Sequence, residues 1–222
     1  MSRNQILLGI LVLALLALGA IAWYAIGDKP DTPAVAVVNG AAGLPAGYER
    51  TLGSPTAPIK MIEYAAPMCP ICAAFDMREF PRLKSQYIDT GKVFYIFRVF
   101  PIGAPDLAVE GIARCLPSDQ YFTFIDTMYR NQDKWDPDGH DIADVRAAIV
   151  AMAGRTGMSS DEAARCMDDK TTEQRTLQVA QDATSRFGVN GTPTFIIDGE
   201  PVYSGEYPWD LLKDQLDRRL AK

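Results

Sequence analysis

The chain has 222 residues, 48% of them hydrophobic, enough for one domain with a sizeable core. Its formal net charge of −6 lacks the basic excess of a nucleic-acid binder. The single histidine, His140, argues against paired-histidine metal sites and against a Ser–His–Asp triad.

Taken in chain order, Ile6 to Ile26 is an uncharged run of 21 apolar or small residues. As a helix rising ~1.5 Å per residue it would cross about 30 Å, the thickness of a bilayer core. Arg3 and the amino end precede it, Asp28 and Lys29 follow, and Trp23 and Tyr24 suit an aromatic interface belt. Residues 1–27 therefore read as an uncleaved membrane anchor or as a signal segment cut after Ala20-Ile21-Ala22. The length favours the anchor, because signal h-regions run ~7–15 residues; a buried core helix is the third reading. Residues 28–47, rich in Pro, Gly and Ala and free of aromatics, read as a flexible linker.

The globular part is expected over 48–222. Ile59 to Ala65 reads as a buried strand. Cys69 to about Thr90 reads as a helix, with Phe75, Phe80, Leu83 and Tyr87 on one face, a kink at Pro81 and a stop at Gly91. Lys92 to Phe100 is β-branched and aromatic, a central strand, so strand–helix–strand implies a parallel crossover. Residues 105–185 read as helical. Expected starts lie at Ser118, at Asp141, and at two capping-box patterns, Ser159 with Glu162 and Thr171 with Gln174. Thr194 to Ile197 and Glu200 to Tyr203 flank the turn Asp198-Gly199 as a hairpin. Pro208 opens a last helix with Leu211, Leu212, Leu216 and Leu220 on one side.

Cys69-Pro70-Ile71-Cys72 falls where a strand gives way to a helix. At a helix N-terminus, unpaired N–H groups and the positive dipole end favour a thiolate at Cys69. A lowered thiol pKa makes that sulfur a nucleophile and a good leaving group. Cys72 is one turn on, able to resolve a mixed disulfide. Pro70 occupies the first turn, where its missing N–H costs little. Two other readings exist: half of a zinc site, which needs four ligands, and a purely structural bridge. The remaining ligand candidates, Cys115, Cys166 and His140, lie at no zinc-like spacing.

Glu63, on the incoming strand, can place a carboxyl group behind the dithiol, its pKa raised by burial; otherwise it is a surface residue of a strand edge. Gly191-Thr192-Pro193-Thr194-Phe195 puts a proline between a glycine and a strand, a natural place for a cis bond. Such a bond would turn the Thr192 backbone toward an extended peptide; an ordinary trans turn is the other possibility.

The segments EYAAPMCPICAAF, FPRLKSQYIDTGKVFYIFRVFP and FGVNGTPTFIIDG together resemble the DsbA-like branch of the thioredoxin superfamily, over roughly residues 50–205. The resemblance implies an α/β thioredoxin fold with a helical domain inserted between its halves. It implies Cys69 as exposed nucleophile, Cys72 as buried partner, Glu63 as the buried acid, and a cis Pro193 preceded by Thr192. Pro70 and Ile71, between the cysteines, join Thr192 and Pro193 as expected substrate-contacting residues. Substrates would be thiols of unfolded or folding secreted proteins, with a membrane quinone-linked reoxidase, or a membrane reductant supplier, as redox partner. The expected location is the periplasmic side of a bacterial inner membrane, with no metal and no cofactor required. Ile71 stands where the best-known oxidase of the family has a histidine, so it predicts a less oxidising couple.

In an oxidising compartment four cysteines pair evenly, which leaves Cys115–Cys166 as a structural disulfide; two buried free thiols are the alternative. The 136–141 cluster lacks the closing Glu of a calcium loop and reads as a solvated turn with Asp141 as a helix cap. Arg98 is expected to pair locally, and Tyr207 and Trp209 to pack. A disulfide oxidase, a reductase or isomerase, and a non-enzymatic Cu(I)-binding module on the same scaffold all fit a lone dithiol.

Overall fold

The structure, a computed structural model, describes residues 47–221. The expected membrane segment 1–27, and the linker up to residue 46, lie outside the described residues. Among the described residues no helix is long and apolar enough to cross a membrane.

Five strands form one sheet: β1 (Arg50–Leu52), β2 (Ile59–Ala65), β3 (Val93–Val99), β4 (Thr194–Ile197) and β5 (Glu200–Ser204), in the order β1-β3-β2-β4-β5. β2 and β3 run parallel, with Glu63 opposite Phe97; the other pairs are antiparallel. The parallel pair is joined by the expected crossover, α1 (Pro70–Arg78), α2 (Phe80–Leu83) and a π-helical turn over Lys84–Ile88. The break at Glu79, two residues before Pro81, is the kink, and Gly91 sits at φ +72°, the left-handed region a glycine enters without strain. β1 escaped sequence reading because three residues carry too little periodicity to register.

The helical insertion between β3 and β4 holds α3 (Ala104–Cys115), α4 (Tyr121–Tyr129), α5 (Val145–Gly154), α6 (Ser160–Met167) and α7 (Lys170–Phe187); α8 (Trp209–Leu220) ends the described chain. Three expected helix starts shift. Asp144, not Asp141, caps α5 by accepting from the Ala147 amide at 2.9 Å, because the chain still bends at Ala143 and turns helical only from Val145. Asp169, not Thr171, caps α7: its carboxylate takes the amides of both Thr171 and Thr172, leaving Thr171 inside the first turn. Ser118 caps nothing; Gln120 precedes α4 without a side-chain bond. Ser159 does cap α6, accepting from Glu162 at 3.3 Å. Leu211 departs from its expected face and is exposed, whereas Leu212 and Leu216 are buried. Adjacent helix positions point about 100° apart, so Leu211 falls off the buried stripe.

The strand period of two assigns the faces of the sheet. Met61 and Ala65 face a core built with Phe75 of α1 and Phe124 of α4; Ile62 and Tyr64 face Val179 and Ala183 of α7. Glu63 lies between Met61 and Ala65 in sequence and so points at the α1 side.

The described cysteines outside the CxxC segment form one disulfide, Cys115–Cys166, tying the end of α3 to α6 with a sequence separation of 51. Nearby, Gly111 of α3 lets the helix approach α6 so closely that an added Cβ would collide with the Cys166 carbonyl oxygen. Replacing both cysteines by alanine is expected to lower unfolding stability by ~4 kcal/mol in urea titration, the loop-entropy scale for such a separation. Gly111→Ala is expected to cost about 1–3 kcal/mol by overpacking alone.

Candidate active site

β2 ends at Ala65, and the turn Ala66–Cys69 closes with the Cys69 amide donating to the Ala66 carbonyl at 2.9 Å. This aims α1 so that Cys69 is its N-cap and Pro70 its first residue. The Cys72 amide donates to the Cys69 sulfur at 3.1 Å, as an N-cap acceptor requires. Both cysteines are free thiols and both are buried: Cys69, expected to be exposed, keeps only 4% exposure against the Thr192 carbonyl, and Cys72 none. The two sulfurs stand in opposite electrostatic environments. The hydrogen bond from the Cys72 thiol outweighs burial, and with the Thr192 side chain and the helix amides of Cys72 and Ile71 lowers the Cys69 pKa to about 6. Burial raises Cys72 well above an ordinary thiol, and the neighbouring Cys69 and Glu63 add to it.

Glu63 is 3% exposed, behind the dithiol. Desolvation raises its carboxyl pKa to about 8, partly opposed by the Tyr95 hydroxyl, which donates to Oε2 at 2.6 Å; Asp76 and Cys69 push it further up. Tyr95 lies on β3, two residues before the partner of Glu63, and sequence reading missed it. Alternation along β3 could have placed it on this face, but a tyrosine among Phe and Ile gives no polar signal. Asp76 was also missed, though it follows Cys72 by one helical turn and so shares its face.

On the opposite side of Cys69, the Thr192–Pro193 bond is cis, and the Cys69 thiol points at the Thr192 carbonyl oxygen at 3.4 Å. The Thr194 hydroxyl to the Gly191 carbonyl (2.7 Å) and the Gly205 amide to the Pro193 carbonyl (2.8 Å) hold this loop. Pro70 and Ile71 are exposed beside the sulfur. A further unforeseen residue, Asp106 at the start of α3, is fully buried. It accepts from the Met68 amide at 2.7 Å and from the amides of Ile102 (2.8 Å) and Gly103 (3.1 Å), clamping the dithiol turn to the insertion.

The remaining sequence candidates lie apart from the dithiol. Arg98 pairs with Glu49 at 2.6 Å and with the Tyr64 hydroxyl at 2.7 Å. His140 contacts the Asp136 carbonyl at 3.2 Å; Asp136 is buried rather than solvated, with its carboxylate turned onto the Asp138 amide. Tyr207 and Trp209 are buried in the core. Among the described residues no group of three or more His, Cys, Asp or Glu is placed to hold a metal ion.

These environments give measurable outcomes. Iodoacetamide labelling of Cys69 in the reduced protein should be half-maximal near pH 6; a midpoint at an ordinary thiol's ~8.5 contradicts the assignment. Glu63 binds its proton more tightly folded than unfolded, so its contribution to stability falls as pH rises from its ordinary range through about 8. Glu63→Gln is therefore expected to stabilise the reduced protein increasingly over that window, by about 1–4 kcal/mol at its alkaline end. Denaturant unfolding at both ends checks the sign.

A thioredoxin family model matches residues 46–218. A Bacillus cereus relative, named a probable disulfide bond formation protein D, is 28% identical over 100% of both chains. A Rickettsia felis relative, named as a protein-disulfide oxidoreductase, is 30% identical across 78% of this chain and 61% of its own. The chain thus spans about three fifths of the length of the Rickettsia relatives it matches. The crystal structure of Wolbachia pipientis alpha-DsbA1 superposes with a TM-score of 0.71 at 28% identity, covering 80% of this chain and 94% of that one. With the sheet order, the insertion and the dithiol at the start of α1, these matches place the chain in the thioredoxin superfamily, as a member of its DsbA-like thiol–disulfide oxidoreductase family.

Proposed function

We propose that this protein introduces disulfides into secreted proteins by exchange at Cys69 and Cys72. The observation that carries the reading is the unequal pair of sulfurs: one stabilised as a thiolate at a helix N-terminus, the other buried and held as a thiol. Stabilising the Cys69 thiolate stabilises the reduced protein, and a couple whose reduced form is stabilised is an oxidant.

In this mechanism a substrate thiolate attacks Cys69 of the Cys69–Cys72 disulfide. Cys72 leaves with the electron pair and takes a proton by way of Glu63. A second substrate thiolate then attacks the mixed disulfide at the substrate sulfur, and Cys69 departs as its stabilised thiolate. Thr192, beside the cis Pro193, offers its backbone to the substrate chain, while Pro70 and Ile71 form the apolar rim. A membrane reoxidase of quinone-linked type, or a membrane reductant supplier if the direction is reversed, would reset the couple. An N-terminal anchor on the periplasmic side of an inner membrane suits that exchange, since it holds dithiol and partner at one surface.

Oxidative refolding of a reduced, denatured disulfide protein tests the reading. The oxidised protein should accelerate recovery of native disulfides, Cys69→Ser should abolish the effect, and Cys72→Ser should accumulate mixed disulfides at Cys69. Equal behaviour of wild type and Cys69→Ser overturns it. Activity confined to scrambled substrates would assign isomerisation instead of oxidation.

A further inference from the structure

Burial leaves a problem behind the dithiol that the exchange scheme does not solve. Cys72 must become a thiolate to close the disulfide, yet the adjacent Glu63 is itself held protonated. Glu63 accepts the thiol proton only after passing on its own, so a route outward is needed.

Three features bear on that route. The Tyr95 hydroxyl donates to Glu63, and Tyr95 also lines a cavity of about 730 Å³ bounded by β1, α2 and α4. Asp76 of α1 and Asp126 of α4 line the same cavity; burial, and after it the neighbouring Asp126 carboxyl, raise the Asp76 pKa to about 7. Tyr129 of α4 is buried beside Cys72, Glu63, Asp76 and Tyr95, and its hydroxyl has no partner among the described residues. A buried hydroxyl without a bond is costly and so needs an explanation. None of Cys69, Ile71 and Thr192 lines the cavity.

We propose that Tyr129 and the Asp76–Asp126 carboxyl pair extend Glu63 and Tyr95 into a proton path from Cys72 to this cavity, which the substrate-contacting residues do not line. The inference rests on the exchange chemistry proposed above. During reoxidation the Cys69 thiolate attacks a partner disulfide, forming the Cys69–partner bond and releasing one partner thiolate. Glu63 passes its proton along the path to the Asp76–Asp126 pair, which releases a proton to solvent. Cys72 then gives its proton to Glu63 and attacks the Cys69 sulfur. The Cys69–Cys72 bond forms, the Cys69–partner bond breaks, and the second partner sulfur leaves with its electron pair. The protein dithiol is oxidised and the partner disulfide reduced, and the reverse path delivers a proton when Cys72 is the leaving group. Charged groups facing the pair are Arg130, bonded to Asp126 at 2.8 Å, and Lys84, Glu49, Arg50 and Asp119 around the cavity.

Rapid acid quench and mass spectrometry of the reduced full-length chain mixed with oxidised glutathione separate capture at Cys69 from resolution by Cys72. The double variant Asp76→Asn/Asp126→Asn should lower the ratio of resolution rate to capture rate roughly 10-fold, less than the ~10²–10⁴-fold of a group that exchanges the proton with the reacting atom directly. It should also flatten the pH profile of resolution and enlarge its solvent deuterium isotope effect; Asp126→Glu should restore the wild-type profile. Tyr129→Phe should slow resolution in the same direction. Unchanged resolution in the double variant, with Glu63→Gln slow, overturns the path and leaves the exchange reading intact. Resolution that survives in Cys72→Ala overturns the exchange reading itself.

Discussion

The Cys72 amide donates to the Cys69 sulfur across 3.1 Å, and the rest of the site is arranged around that bond. It exists because β2 delivers the chain to a turn whose last residue becomes the cap of α1. Pro70 lacks an N–H, so the amides of Ile71 and Cys72 are the first ones free to face the sulfur. Asp106 fixes the same turn from outside by gathering three amides onto one buried carboxylate, two of them from the loop that opens the helical insertion. The insertion thus packs on the thioredoxin core and also sets the approach to Cys69.

From this arrangement follows the division of labour between the sulfurs. Cys69 lies at the surface end of the helix, where amides and the Thr192 carbonyl surround it. Cys72 lies one turn deeper, on a face shared with Phe75 and directed at the core. Burial there disfavours any charge, so a carboxyl group placed nearby is protonated as well. Glu63 is forced into that position by strand alternation, between Met61 and Ala65. Among the described residues its side chain is bonded by the Tyr95 hydroxyl, and that bond keeps ionisation within reach.

Much of this was legible in the chain itself. The CxxC at a strand-to-helix junction, Glu63 on the incoming strand and the Gly-Thr-Pro before a strand are local patterns with local physical consequences. The hairpin turn was equally legible, because Asp198 and Gly199 both adopt positive φ, at 52° and 83°, as that two-residue turn demands. What escaped depends on tertiary placement. Tyr95, Asp106, Asp126 and Tyr129 come from three different elements and converge only once the insertion folds over the sheet. Helix caps were misread where two acidic or hydroxyl residues competed within three positions, as at Asp141 against Asp144 and Thr171 against Asp169. There the choice is made by which backbone amides the loop exposes, and not by the side chain's own preference.

The central claim is that the protein stabilises its reduced dithiol through the Cys69 thiolate, moderated by an apolar Ile71. The equilibrium of the Cys69–Cys72 couple with glutathione buffers measures that stabilisation directly. The account predicts a potential between about −270 mV, the thioredoxin value, and about −120 mV, that of the strong oxidase DsbA. A potential at or below about −270 mV would contradict thiolate stabilisation, and one near −120 mV would contradict the moderating role of Ile71.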